Sequence, residues 1–517
     1  MPSTSAFAPP PLIAAADLAA SGWVLPAGVG RSGDPRWTLV GTVASPTATA
    51  VDPAGLVVGE GWSLDWWIGA DDRWHLPARE AAVRQRLVDD APVVETLVRI
   101  PGGDAIHRAY GFRAPRPGGD EWVAVEVENH TPVPFAVALV VRPFTADAVG
   151  AVGAISVEPV GGGRGQDTAH LVRVDGQPAL VLPRRPARMA TGNRAHGDAA
   201  EVVTSARAGT ELTTASCPDG LATMAVVFPL PHTATLRVVL PVGACSDSGA
   251  VAFPAVVPDA ATVAAGWEVH RRQPRIEVPD RRVAEAFAQA RAQVLLAYDG
   301  QAVRRDGRRS PDREPGATEV LLGAIDVLDR PGDVAAVVTG WARRPGPPTL
   351  EDDILLLRVT AGHWLLHRGE PFLDAMLAHV AAAVARLDRS LRRGRVVEPS
   401  TCGRTKDALE ITAWMLAEAG QPEAGVAVTA LADRIPGAAA PAAQPGQDLA
   451  ASAAVVLAVR RLLVAERANG LDLLPTLAPA WFGGGVELHD APTTAGRLSF
   501  ALRWHGRRPA LLWDLER

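Results

Sequence analysis

Residues 354–366 read ILLLRVTAGHWLL, and residues 371–387 read PFLDAMLAHVAAAVARL. The first stretch is apolar on almost every side of a helix. In the second, Phe372, Leu373, Met376, Leu377, Val380, Val384 and Leu387 recur at helical spacing, with Asp374, His379 and Arg386 opposite. A helix that is apolar all round has to be surrounded, whereas a one-sided helix covers another from outside. Val320–Leu328, Ala408–Ala417 and Ala450–Leu463 repeat the first pattern; Asp333–Trp341 and Glu423–Leu431 repeat the second. Inner and outer helices therefore alternate, which predicts a two-layered α/α toroid.

Upstream, the periodicity changes to two. Trp62, Leu64, Trp66 and Ile68 alternate with Ser63, Asp65 and Trp67; Val123, Val125 and Val127 alternate with Trp122, Ala124, Glu126 and Glu128. Phe135–Val141 and Leu236–Leu240 read as further strands, with Gly and Pro clusters as turns. Long runs of such strands predict an antiparallel β-sandwich over 1–256. A linker over 257–279 holds a short helix at Val263–Arg271 and an extended Pro274–Pro279. Asp280 then caps a helix whose apolar face is Val283, Phe287, Ala290, Val294 and Tyr298. The toroid spans 280–469. After Gly470 strands return, and Leu498, Phe500, Leu502 and Trp504 alternate before a Gly506–Arg508 turn, giving a C-terminal β-hairpin within 470–517. This hairpin has two possible places, beside the N-terminal sheets or against the helical layer.

Composition narrows the function classes. The chain has 517 residues and a net charge of −6, too mild to suggest nucleic acid or an anionic membrane as partner. No stretch offers about 18 uninterrupted apolar residues, so no membrane span is expected. Cys217, Cys245 and Cys402 are too scattered for a disulfide framework or a zinc site, and the start of the chain lacks a basic stretch before its apolar run. A cytoplasmic location is the expectation. His75, His363 and His505 read as isolated, and no phosphate loop or nucleophile elbow occurs. No cofactor and no metal are expected.

In a toroid the inner helices run one way, so their N-termini and the loops entering them share one end. Asp312, Glu314 and Glu319 lie at the start of one inner helix, Glu351, Asp352 and Asp353 at the next, Glu398, Arg404, Lys406 and Asp407 at the third, and Asp448 at the last. Carboxylates brought from different loops into one funnel suit glycosyl transfer, in which one acid protonates the leaving oxygen and another carboxylate activates water. Each acid also has a structural reading, because Asp and Glu cap helix N-termini and oppose the macrodipole. Asp352 and Asp353 stand out, since neighbouring helix positions point about 100° apart and one can cap while the other faces the funnel. Glu398 precedes Pro399 in a loop. These three are the catalytic candidates. Glu314, Trp341, Arg404, Asp407 and Trp67 are the candidates for binding substrate. Trp67 and Trp74 offer indole faces to a sugar ring, or else pack between domains.

Glu126–Pro134 (EVENHTPVP), Ala324–Leu328 followed by Pro331–Ala335, and Ala491–Leu515 (APTTAGRLSFALRWHGRRPALLWDL) carry a resemblance to a known family. Together with the sandwich, linker and toroid, they make the chain similar to the six-hairpin glycosidase-like superfamily, near bacterial glucoamylase-like and glycogen-debranching-like proteins of actinobacterial type. The resemblance implies an inverting glycosidase acting on an α-linked glucan or oligosaccharide, its two carboxyl groups about 6.5–9.5 Å apart. The chain departs from that pattern in two ways. Six hairpins need twelve helices, and about eight can be read between Asp280 and Glu466. The family's paired glutamates are not found at the active-site loops, so the resemblance transfers no catalytic residue. A degenerate member that binds carbohydrate without cleaving it is the alternative.

Overall fold

The computed structural model describes residues 14–26, 37–43, 45, 48–59, 61–114, 120–145, 148–160, 168–211, 214–242, 251, 253–271, 274–297, 304–305, 308–309, 315–394, 399–435, 449–467 and 470–517. It forms two compact units, Met1–Gly266 and Trp267–Arg517, which divide inside the expected linker.

The first unit holds an eight-stranded and a nine-stranded sheet of antiparallel strands. Ser63–Gly69 pairs with Phe135–Arg142 in one, and Glu121–His130 lies between Gly103–Arg113 and Thr235–Val242 in the other. The alternation read in the sequence sorts the side chains: Trp62, Leu64, Trp66 and Ile68 enter one core with Val123, Val125 and Val127. The opposite face of the first strand is not solvated. A short helix, Ala199–Thr204, covers it, and Trp67 packs there with Ala138, Val140, Ala199, Ala200 and Val203. Arg142, wholly buried, bonds Asp65 Oδ2 at 3.1 Å and Asp198 Oδ2 at 2.5 Å. Asp198 also accepts from Ala200 N to cap the covering helix. Burial pushes the Asp65 carboxyl up, and the Arg142 guanidinium opposes it.

In the second unit we number the long helices α1 (Arg281–Leu296), α2 (Pro315–Val327), α3 (Pro331–Ala342), α4 (Leu350–His367), α5 (Glu370–Arg392), α6 (Pro399–Glu418), α7 (Pro422–Ala432) and α8 (Leu449–Leu463). Asp280 caps α1 by accepting from Arg282 N. Helix α4 is buried on all sides, from Ile354 through Leu357 to Trp364. Helix α5 buries only Leu373, Met376, Val380, Ala383 and Leu387, a single stripe. The layers are as the hydrophobic pattern requires.

Side-chain pairs fix the directions. Glu351 at the start of α4 meets Arg404 near the start of α6, and Glu319 early in α2 meets Arg358 of α4. At the other end, Asp329 just past α2 binds Arg497, Arg368 just past α4 binds the Thr494 carbonyl, and Arg460 late in α8 binds the Pro492 carbonyl. Helices α2, α4, α6 and α8 are therefore parallel. The outer helices return antiparallel: Gly425 at the start of α7 lies so close to late α6 that a Cβ there would sit 2.9 Å from Ala413 O.

The inner layer is an arc. Helix α4 lies between α2 and α6, while α8 packs on α2 and α1 and makes no comparable contact with α6 among the described residues. Among the described helices the inner layer therefore runs α6, α4, α2, α8, and its two ends do not meet. Four antiparallel strands, β1 (Arg275–Glu277), β2 (Val486–Thr493), β3 (Gly496–His505) and β4 (Arg508–Glu516), form a sheet in that order at the trailing ends of the helices. Leu488, Leu498, Phe500 and Leu502 of this sheet share a core with Leu463 of α8. The hairpin read in the tail therefore joins the helical unit, paired with the extended stretch before Asp280.

Candidate functional site

At the leading end of the arc, Thr349 caps α4 in a reciprocal box. Thr349 Oγ1 accepts from Asp352 N at 3.1 Å, and Asp352 Oδ2 accepts from Thr349 N at 3.0 Å and from Thr349 Oγ1 at 2.8 Å. Asp353 is turned toward the outer helix. Its two oxygens accept from Arg386 Nε, each at 3.0 Å, and Oδ1 also accepts from Arg386 Nη2 at 2.6 Å. Burial pushes the Asp353 carboxyl up, and the Arg386 hydrogen bonds pull against it. The sequence offered one acid for the cap and its neighbour for the funnel; the neighbour instead closes the seam between α4 and α5.

The partly exposed groups at this end come from three inner helices. Arg358 of α4 donates from Nε to Glu319 Oε1 of α2 at 2.6 Å and from Nη1 to Asp407 Oδ2 of α6 at 3.3 Å. Arg404 Nη1 lies 2.7 Å from Glu351 Oε2. Trp341 closes α3, an outer helix that returns toward this end, and is half-buried. The result is a row of fixed carboxylates and guanidinium groups, the equipment that binds vicinal hydroxyls through charge-assisted hydrogen bonds. Asp312, Glu314, Glu398 and Asp448 lie outside the described residues.

Two readings need correction. Trp67 is fully buried beneath the Ala199–Thr204 helix, so it presents no face to a sugar. The six-residue helix that covers it is too short to carry a periodic signal of its own. His363 is not isolated: four positions on, His367 projects from the same face of α4, and both rings approach Asp326 of α2. The i, i+4 spacing of His363 and His367 was the signal available for this cluster.

A groove of about 800 Å³ lies elsewhere, between outer helices α5 and α7. Leu377, Val380, Val384 and Leu431 line it, and Asp388 at its rim is held by Arg392 and Arg434. Its walls are apolar, and Asp388 is the one acid among its described lining residues.

No protein-family model and no curated protein matches this sequence. Solved structures do. A bacterial glucoamylase complexed with acarbose aligns with a TM-score of 0.50 at 10% identity, over 79% of this chain and 68% of that one. At this identity the likeness is one of fold. A GH92 family glycosyl hydrolase aligns with a TM-score of 0.39 at 11% identity, over 79% of this chain and 62% of its own. A putative kojibiose phosphorylase from the human microbiome gives 0.40 at 8% identity, over 77% and 62%. The N-terminal sheets, the helical region and the small C-terminal sheet match the glucoamylase in fold. No described helix is long and apolar enough to cross a membrane.

Proposed function

We propose that the chain binds an oligo- or polysaccharide at the leading end of the inner helices and does not cleave it. The observation that carries this reading is the commitment of the two prominent acids. Asp352 completes a cap, and Asp353 neutralises Arg386 in a seam. The open arc supports it as well, because a site walled by fewer helices keeps more water and focuses charge less than a closed funnel. Glu319, Arg358, Glu351, Arg404 and Asp407 hold the ligand's hydroxyls, and Trp341 supplies the ring face.

Hydrolysis by an inverting acid/base pair is the second reading. It is favoured by one sequence feature. Glu314–Pro315 and Glu398–Pro399 each stand where an inner helix begins, and those helices, α2 and α6, flank α4 on either side. In this reading Glu314 and Glu398 are the acid and base. A cytoplasmic location belongs with the same proposal.

Purified full-length protein is tested against a panel of α-linked glucans and oligosaccharides, with calorimetry for binding and reducing-end release for cleavage. Saturable binding without release supports the first reading. Sustained release that is abolished in Glu314→Gln or Glu398→Gln replaces it by the second. Neither binding nor release anywhere on the panel sinks both.

A further inference from the structure

We infer that Asp326, His363 and His367 form a binding site for one divalent transition-metal ion of the zinc class, at the trailing end of α2 and α4 and away from the leading-end acids. One candidate ligand atom from each residue falls within 4.8 Å of the others. Asp326 Oδ1 lies 2.7 Å from His363 Nδ1 and 3.2 Å from His367 Nε2. Ligands about 2.0–2.1 Å from a tetrahedral ion stand roughly 3.3 Å apart, so small side-chain rotations bring all three into range.

Two further observations point to a cation. The first is a buried nitrogen without a hydrogen bond: His367 Nε2 is shielded from solvent and, although 3.2 Å from Asp326 Oδ1, makes no hydrogen bond with it. Orphaned buried polar atoms are uncommon and call for a partner. The second is charge. Asp326 is 3% exposed, and its described partners are the two imidazoles, with no arginine or lysine among them. A buried carboxylate is costly unless it is paired. Its position adds to the demand, because α2 and α4 end there and the unsatisfied carbonyls of a helix C-terminus favour positive charge.

The donor set selects the ion. Two imidazole nitrogens and one carboxylate oxygen suit Zn(II), Co(II), Ni(II) or Fe(II); Mg(II) and Ca(II) prefer all-oxygen cages. Three protein ligands leave a position for water. Phe372 packs edge-on against His363 at 4.5 Å and holds that ring in place. The ion ties the first inner helix of the arc to the second. His75 serves as the comparison: its Nε2 lies 2.9 Å from Asp72, and its Nδ1, likewise without a hydrogen bond, lies 3.2 Å from Glu80, but that carboxylate is already paired with Arg73.

The test uses the whole chain, stripped with chelator and desalted. Titration with Co(II) and Zn(II) is followed by visible absorption, by elemental analysis after gel filtration and by thermal melting. The expected result is one tightly held equivalent per chain, a ligand-field spectrum with Co(II), a metal-dependent rise in melting temperature, and no response to Mg(II). His367→Ala weakens binding by roughly tenfold to hundredfold or more, since loss of even an outer-shell partner has that effect. His75→Ala leaves it unchanged. If His367→Ala does not fold, His367→Gln keeps the volume and must lack the metal-dependent rise. Absence of saturable uptake by folded wild-type protein, or unaltered uptake in the His367 variants, overturns the site.

Discussion

Asp353 and Arg386 are joined by three short hydrogen bonds across the seam between an inner and an outer helix. Asp353 is almost wholly buried there, while Arg386 keeps one edge in solvent. Arg386→Ala therefore strands a buried carboxylate, and we expect it to cost about 2–4 kcal/mol, toward the lower end for breaking a buried pair because the arginine is partly exposed. Chemical denaturation of the second unit measures this. A loss under about 0.5 kcal/mol, within the range of a neutral surface change, would show that the pair does not hold the seam.

Arg358 is the opposite case, a partly exposed cation shared by two acids. Its removal should change stability by no more than about 1 kcal/mol. If the leading end binds sugar, Arg358→Ala should weaken that binding by about tenfold to a hundredfold, the worth of a hydrogen bond to a charged group. Calorimetry with the tightest glycan found decides the point, and equal affinity in the variant would move the sugar elsewhere.

Trp67 separates burial from binding. Trp67→Ala should destabilise the first unit by about 3–5 kcal/mol through the cavity it leaves. Any loss of glycan binding should follow the fraction unfolded. A variant of native stability that no longer bound sugar would restore the indole as a contact.

His107 lies in the sandwich core, stacked on Trp66 with ring centroids 4.9 Å apart. Burial and the neighbouring Arg108 charge hold its imidazole down at about 3, against an ordinary 6.5. Between these values the unfolded chain binds a proton that the folded chain refuses. The native state therefore loses stability as pH falls through that window, by up to about 1.4 kcal/mol per pH unit. His107→Gln should narrow the stability difference between pH 6.5 and pH 5 by about 1.6 kcal/mol, as read from denaturant midpoints. Identical pH slopes in both proteins would mean that the ring is charged when folded.

The layers and strands were legible because burial writes itself locally. Ile354–Leu366 and Leu373–Leu387 disclose their faces through nothing but spacing, and so does the run Trp62 to Ile68. The shortened ring also followed from counting helices. What stayed hidden depends on distant residues: Arg142 meets Asp65 and Asp198, and Asp326 meets His363, across separations that no periodicity records. Asp352 and Asp353 were found where the sequence put them, at the start of an inner helix. Their partners, however, were set by rotation about the helix and by the neighbouring α5. Trp67 was misread because its strand looked polar on that face, and the polar groups Asp65 and Ser63 turned out to be buried too.

The pairing of β1 with β2 bears on how the molecule is made. Ile276 opens the helical unit, and its partner Leu488 leaves the ribosome more than two hundred residues later. The sandwich can complete itself while synthesis continues, whereas the arc must wait, half assembled, until its sheet arrives. During that interval the greasy helices stand uncovered at their trailing ends. Chaperone dependence and aggregation in cells should accordingly be traced to the second unit, and slowing translation after residue 480 should aggravate both.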